Sequence, residues 1–146
     1  MAKWGSVDFQ SLIDLRDRLE AAQQQSDQLC EKCAKELAAR LLRKVIKLTP
    51  VKTGELRRNW FATKVKKVGN AFEVTVYNAK SYAAYVEFGH RQEPGRFVPS
   101  IGKRLVKPWV EGRYMLTKSE LELEKQAPGL LAKMVQKYLE EMLNGK

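Results

Sequence analysis

Residues 49–89 read TPVKTGELRRNWFATKVKKVGNAFEVTVYNAKSYAAYVEFG, and this stretch decides the fold because its apolar residues change spacing relative to the flanks. From residue 64 onward, apolar and polar residues largely alternate, which is typical of strands with one buried face. Gly69-Asn70 is a turn signal between two such runs. We therefore predict antiparallel strands over 59–67 and 71–78. Their inner face would carry Val65, Val68, Phe72, Val74 and Val76, and their solvated face Lys64, Lys66, Lys67, Glu73 and Thr75.

The end of this stretch is ambiguous. Tyr82, Tyr85 and Val86 fit helical spacing, yet their aromatic and β-branched side chains favour a strand. We predict a short third strand over 82–88, ended by Gly89. Glu87 would then pair with Arg57 or Arg58 across the sheet, a structural ion pair rather than a catalytic group.

Helices are predicted on both sides of the sheet, which needs a cover because two strands alone are marginal in water. Apolar or small residues recur every three or four positions from 12 to 48, which predicts helix over about 9–48. We expect a break at 23–27 and an end at Thr49-Pro50, because the residue before a proline disfavours helix. Residues 1–7 would form a loose leader in which Trp4 can still pack, and Asp8 would cap the helix.

The C-terminal part also has a helical pattern, over about 117–144. Thr117-Lys-Ser-Glu120 matches a capping box. Pro128 would either kink this helix or start a new one. The expected fold is therefore α+β: a single domain over 1–146 in which a small antiparallel sheet, over about 58–89, packs against N-terminal and C-terminal helices.

Residues 90–112 are predicted to form a long extended loop. They contain three prolines and three glycines, which disfavour regular structure, together with five basic residues. A flexible linker would be polar, whereas this segment also carries large apolar side chains. We interpret it as a loop that is mobile in the free chain and orders on a partner; the alternative is a loop packed on its own domain. The candidate partner-binding residues are Phe97, Ile101, Leu105 and Trp109.

The net charge of +10 is concentrated in blocks. Residues 35–67 hold 11 basic and 2 acidic side chains, while residues 1–34 carry a net charge of −2. Such a block suits nucleic acid or an acidic protein surface, or it is simply a solvated face. The candidate DNA-facing residues are Arg40, Arg43, Lys44, Arg57 and Arg58. Composition is that of a globular protein, and no apolar run is long enough to cross a membrane.

The sequence offers little chemistry, and we predict no enzyme, metal or cofactor. Cys30 and Cys33 form a lone Cys-x-x-Cys, and His90 is the single histidine, so a zinc site lacks ligands. We interpret both cysteines as small core residues of a helix, in a reducing compartment. The aromatic side chains Trp60, Phe61, Tyr77, Tyr82 and Tyr85 are placed in the core, although rings interleaved with basic residues can also stack on bases.

Two motifs together resemble a known family. Thr49-Pro-Val-Lys-Thr-Gly-Glu-Leu-Arg57, followed by Tyr82-Ala-Ala-Tyr-Val-Glu-Phe-Gly89, is similar to the neck or head-to-tail joining proteins of lambda-like, long-tailed phages, which are described as tail components or minor tail proteins. The positions that carry the resemblance are Pro50, Thr53, Gly54, Leu56, Tyr82, Glu87 and Gly89.

The resemblance implies an α+β virion protein without enzymatic activity, from a phage or prophage. It implies a ring of copies of the chain, a hexamer or a multiple of one, between head and tail or at the top of the tail, through which DNA passes. Partners would be neighbouring connector and tail proteins, with assembly in the bacterial cytoplasm. A non-specific nucleic-acid-binding module using residues 35–67 is the alternative.

Overall fold

A long helical hairpin forms the body of the molecule, for which the computed structural model describes residues 9–145. Helix α1 (Phe9–Leu48) packs along helix α4 (Met115–Leu143). The pair is antiparallel: Lys44 forms a 2.5 Å salt bridge with Glu122, and the Tyr138 hydroxyl lies 3.4 Å from the Gln25 side-chain oxygen. The predicted leader, Trp4 and the Asp8 cap lie outside the described residues.

The predicted break in α1 at 23–27 is wrong, since the helix is continuous. Two tertiary contacts support the weakly patterned part. Asp27 accepts a 2.6 Å hydrogen bond from Lys67 of the sheet, and Gln25 meets Tyr138 of α4. Glutamine, which occupies residues 23–25, is also a good helix former. This part of α1 therefore lacks an apolar stripe but keeps a high helix propensity.

A bent β-hairpin covers one side of α1. Its base pairs β1 (Trp60–Ala62) with β4 (Val76–Asn78), and its tip pairs β2 (Lys66–Val68) with β3 (Ala71–Glu73), both antiparallel. The predicted turn at Gly69-Asn70 is confirmed, with Val68 opposite Ala71. The strands are shorter than predicted because the ladder is interrupted between the two pairs. The predicted solvated face is exposed throughout, and the inner face is half-buried except for Val68, which is exposed.

Residues 82–88 do not form the predicted third strand. A one-turn helix, α2 (Glu55–Arg58), precedes the hairpin, and a second short helix, α3 (Ala83–Phe88), follows it. Helical spacing decides here because it turns Ala83 and Val86 toward the core while Glu87 is buried against α4. The predicted pairing of Glu87 with Arg57 or Arg58 is therefore wrong.

Residues 89–111 form a hairpin, which corrects the predicted unstructured loop. Strand β5 (Gly89–Arg91) pairs with β8 (Trp109–Glu111), and β6 (Phe97–Val98) pairs with β7 (Lys103–Arg104). Between these pairs, backbone hydrogen bonds join Gln92 to Pro108 and Gly95 to Leu105. Pro94 and Pro99 lie outside the paired positions, and Pro108 takes part only through its carbonyl, which accepts from the Gln92 amide. We call residues 89–111 the arm; its mobility in the free chain stays a prediction.

Helix α4 begins at Met115, two residues before the predicted capping box. Thr117 does not cap it as predicted, because its hydroxyl donates to Glu87. Pro128 lies inside this single helix and starts no new one. No described helix is long and apolar enough to cross a membrane.

The fully buried core is small and lies where α1, the hairpin base and the start of α4 meet. Val45, Leu56, Trp60 and Met115 form it, with half-buried apolar residues from α1, α3 and α4 around them. The architecture is α+β, with helices on a small antiparallel hairpin, as the sequence predicted.

Candidate functional site

The two sequence motifs meet at one end of the helical hairpin, and we call this region the motif junction. Thr49, at the end of α1, is buried; its hydroxyl donates to the Val45 carbonyl at 2.6 Å and accepts from the Trp60 indole nitrogen at 2.8 Å. Arg57 donates to the Thr49 carbonyl at 2.8 Å. A helix end buried without partners is costly, so these bonds tie α1 to α2 and the hairpin.

The Thr-Gly-Glu-Leu part of the first motif builds the turn between α1 and the hairpin. Gly54 has φ of +79°, a left-handed conformation that favours glycine, and its missing Cβ leaves room for the Arg58 guanidinium. Thr53 accepts a long, 3.4 Å hydrogen bond from the Glu55 amide. Leu56 is the apolar anchor in the core. Pro50, the remaining position of the first motif, is exposed where α1 ends.

Glu87 of the second motif caps helix α4. Its carboxylate accepts hydrogen bonds from the Leu116 amide at 2.9 Å, the Thr117 amide at 2.8 Å and the Thr117 hydroxyl at 2.7 Å. These amides belong to the first helical turn, which has no intrahelical partners, and the positive end of the helix dipole favours an anion. The buried carboxylate is thus structural, and it fixes α3 against the start of α4.

Two glycines let the base of the arm pass close to α3. A Cβ on Gly89, whose φ is +82°, would lie 2.3 Å from the Val110 carbonyl oxygen. A Cβ on Gly112 would lie 2.3 Å from the Glu87 carbonyl oxygen. No side chain fits at either position, so the second motif sets the position from which the arm leaves the body. Tyr82, the first residue of that motif, is exposed beside it.

The arm exposes the residues that the sequence nominated for partner binding. Phe97, Ile101 and Trp109 are exposed and Leu105 is half-buried, while Val106 is 84% exposed. Apart from the Gly89 amide, which donates to the Tyr85 carbonyl of α3, the hydrogen bonds described for this segment run within the arm, including one from Arg104 to the Gly95 carbonyl. The arm is therefore a preformed hairpin that presents apolar side chains to solvent.

The candidate DNA-facing residues do not form one surface. Arg40, Arg43, Lys44 and Lys47 line a cleft of about 260 Å³ between α1 and α4. Arg40 is paired with Glu36 and Lys44 with Glu122. Arg57 is half-buried in the motif junction, and Arg58 packs over Gly54, reaching the Thr53 carbonyl.

Several residues placed in the core by their spacing are exposed. Of the five aromatic residues considered, Trp60 is buried, whereas Phe61, Tyr77, Tyr82 and Tyr85 are exposed. Cys33 is buried but Cys30 is exposed, so the interpretation of both cysteines as core residues is wrong for Cys30. Burial, and then the neighbouring Cys30, raise the pKa of the Cys33 thiol. Within residues 9–145, no group of three histidine, cysteine or acidic side chains is arranged to hold a metal ion.

Sequence reasoning missed the contribution of Gly112 and of the first part of α1. In the sequence Gly112 is one glycine among several, and Glu87, whose carbonyl oxygen it approaches, lies 25 positions away. Leu12, Leu15 and Leu19 were placed on the apolar stripe of the predicted helix, but their exposure and that of Phe9 and Ile13 were not foreseen. The first predicted helix is longer than the C-terminal one, and this difference in length could have indicated that part of its apolar stripe stays uncovered.

Comparison with known proteins identifies the family through the region that contains both motifs. The family model HK97-gp10_like, described as "Bacteriophage HK97-gp10, putative tail-component", matches residues 13–89, just over half of the chain. No curated protein and no solved structure matches. The matched region runs from α1 through the motif junction and ends at Gly89. The chain belongs to the HK97-gp10-like family of bacteriophage tail components.

Proposed function

We propose that this tail component is a structural, non-catalytic subunit that assembles with copies of itself into a ring. The ring joins head to tail or completes the tail, and DNA passes through it. Its partners are the neighbouring connector and tail proteins of a phage or prophage, met in the host cytoplasm during assembly. The family membership supports the virion role, and the exposed apolar surface supports the assembly role.

The observation that carries the proposal is the amount of surface left uncovered. The chain exposes 11901 Å², whereas a folded monomer of its mass exposes roughly 7,600 Å². Large apolar side chains contribute to this excess at both ends of the molecule, from Phe9 and Leu19 to Phe97 and Trp109. Contiguous exposed apolar surface marks interaction sites, and the described residues show a small buried core beside it. Such a chain is expected to complete its burial against other subunits.

The test replaces the outer arm, residues 93–107, with an Asn-Gly turn that keeps Gln92 and Pro108 opposite each other. The body should stay folded, with its melting temperature nearly unchanged, because the arm makes its hydrogen bonds internally. Complementation of a phage that lacks this gene should fail at head–tail joining or tail completion. A milder variant, Phe97→Ser with Ile101→Ser, should fail at the same step, while Ser100→Ala should complement. Normal particles from the shortened chain would contradict the proposed role of the arm.

A second candidate function is non-specific nucleic-acid binding, favoured by Arg43 and Lys47, two cations of the α1–α4 cleft. Contacts to phosphates alone give affinity that falls steeply with salt and ignores sequence. We expect weak binding to unrelated duplexes at low salt, reduced in Arg43→Gln with Lys47→Gln but not in a control that replaces Lys133 and Lys137. Strong preference for one sequence at physiological salt would overturn the assembly role.

A further inference from the structure

The first part of α1 projects beyond its partner helix. Lys44 of α1 lies opposite Glu122 of α4, and Gln25 of α1 lies opposite Tyr138 of α4. Residue numbers along α4 therefore rise as those of the opposing residues of α1 fall. Continuing this pairing places the end of α4 at Leu143 opposite about residue 20. Residues 9–20, which we call the overhang, therefore form about three turns of helix, roughly 18 Å long, that α4 does not reach.

The overhang has an apolar stripe with an acidic flank. At about 100° per residue, Phe9, Leu12, Ile13, Leu15 and Leu19 fall within roughly half of the helix circumference, and all five are exposed. The overhang has three carboxylates, Asp14, Asp17 and Glu20, against two basic side chains, Arg16 and Arg18. At the same spacing Glu20 lies at the edge of the stripe beside Ile13, and Asp17 and then Asp14 lie farther round the helix. Asp17 and Glu20 contact Arg16 at 2.8 and 3.9 Å, and Asp14 accepts from Gln10. Exposed contacts of this kind contribute little and are readily exchanged.

The arm has the complementary character. It carries five basic residues, Arg91, Arg96, Lys103, Arg104 and Lys107, against two acidic ones, Glu93 and Glu111. Within residues 9–145, none of the salt bridges involves an arm residue. Its exposed apolar residues, among them Phe97, Ile101 and Val106, stand between these cations. The basic and apolar side chains of the arm thus complement the acidic and apolar side chains of the overhang. Complementary charges fix the register of such a contact.

The arm starts at one end of the helical hairpin and the overhang lies at the other. The arm begins directly after α3 and returns to α4 at its first turn, next to the end of α1. Residues 20–48 of α1 separate the two ends by about 42 Å. Two different, mutually complementary surfaces at opposite ends give a head-to-tail contact, and repeated head-to-tail contacts close into rings or continue as filaments.

We propose that the arm of one copy docks on the overhang of the next copy, with Phe97, Ile101 and Val106 on the apolar stripe and Lys103, Arg104 and Lys107 beside the carboxylates. This inference rests on the proposed self-assembly and names the two surfaces that carry it. The occupant of the overhang is therefore a second copy of this chain.

The experiment reverses the charge of each surface in the full chain. The overhang variant carries Asp14→Lys, Asp17→Lys and Glu20→Lys; the arm variant carries Lys103→Glu, Arg104→Glu and Lys107→Glu. Sedimentation velocity over a concentration series at low salt, with a bifunctional cross-linker in parallel, measures self-association. Circular dichroism confirms that each variant is folded. A control with the same number of reversals elsewhere carries Lys52→Glu, Lys64→Glu and Lys118→Glu.

The native chain and the control should associate equally, and each surface variant alone should associate at least tenfold more weakly, because both of its surfaces then carry the same sign of charge. An equal mixture of the two variants should recover association. In the mixture, the overhang of each variant meets an arm of opposite charge on the other, so the copies alternate.

Three results would overturn the inference. Both variants could associate as well as the native chain. The mixture could fail to recover association, which would indicate that the overhang packs on another overhang or on a different protein. The native chain could show no association or cross-linking at any concentration. In the first two cases self-assembly still stands, and the proposed function is judged separately by complementation with the shortened arm.

Discussion

Removing the Glu87 carboxylate tests whether one buried side chain joins the second motif to α4. In Glu87→Ala, two amides of the first turn of α4 and the Thr117 hydroxyl lose their acceptor. Hydrogen bonds to a charged group contribute about 1.5–3 kcal/mol each, and an anion at a helix N-terminus contributes up to about 2 kcal/mol. The cost of burying the carboxylate offsets much of this sum. We expect a net loss of about 2–4 kcal/mol in the free energy of unfolding.

Urea unfolding followed by circular dichroism measures this loss, and thermal unfolding should show a fall of roughly 4–16 °C in Tm. Glu87→Gln keeps one acceptor oxygen but sets its amide group against the helix amides, so it should fall between the native chain and Glu87→Ala. Glu93→Ala, an exposed glutamate of the arm, is the matched control and should stay within about 0.5 kcal/mol. If Glu87→Ala is as stable as this control, the capping argument is refuted.

Three further substitutions, two of them with a comparison variant, have expected outcomes that urea unfolding can check. Gly112→Ala should cost at least about 2 kcal/mol because its Cβ meets backbone, whereas Gly129→Ala, in open space within a helix, should gain about 0.5–1 kcal/mol; equal values would contradict the close approach. Thr49→Val should cost about 1–3 kcal/mol by leaving the indole donor without an acceptor, and a neutral result would show that this bond is dispensable. Cys33→Ala should cost about 1–2 kcal/mol and Cys30→Ala under about 0.5 kcal/mol, with the reverse order counting against the burial argument.

Hydrophobic spacing predicted most of the fold because it reports which face of each element is apolar. It located α1, the C-terminal helix and the hairpin with its turn, and these elements define the α+β class. Gly54 of the first motif precedes the helical turn Glu55–Arg58 in a left-handed conformation that few other residues adopt. These signals act over a few neighbouring residues, so the sequence displays them directly.

The local errors have a common physical cause, which is a partner distant in the sequence. The strand predicted over 82–88 and the capping box predicted at Thr117 are wrong for one reason. Glu87 lies on the short helix α3, and its carboxylate caps α4 in place of Thr117. The break predicted in α1 fails because Asp27 and Gln25 find partners on the hairpin and on α4. In each case a contact between separate elements overrides local propensity, and no spacing rule shows such a contact.

The errors about burial have a different cause, and they bear on function. Periodicity shows that Leu12, Leu19 or Tyr85 lies on an apolar face, but it does not show what covers that face. We placed Tyr85 in the core, and Leu12 and Leu19 on the apolar face of the helix predicted to cover the sheet; the structure leaves all three exposed. For a tail component this mismatch is expected, since apolar faces that one copy cannot cover are those that a neighbouring subunit can bury. The residues for which the sequence-based core prediction fails are therefore the first candidates for subunit contacts, and the overhang and the arm are the two places where they are combined with complementary charge.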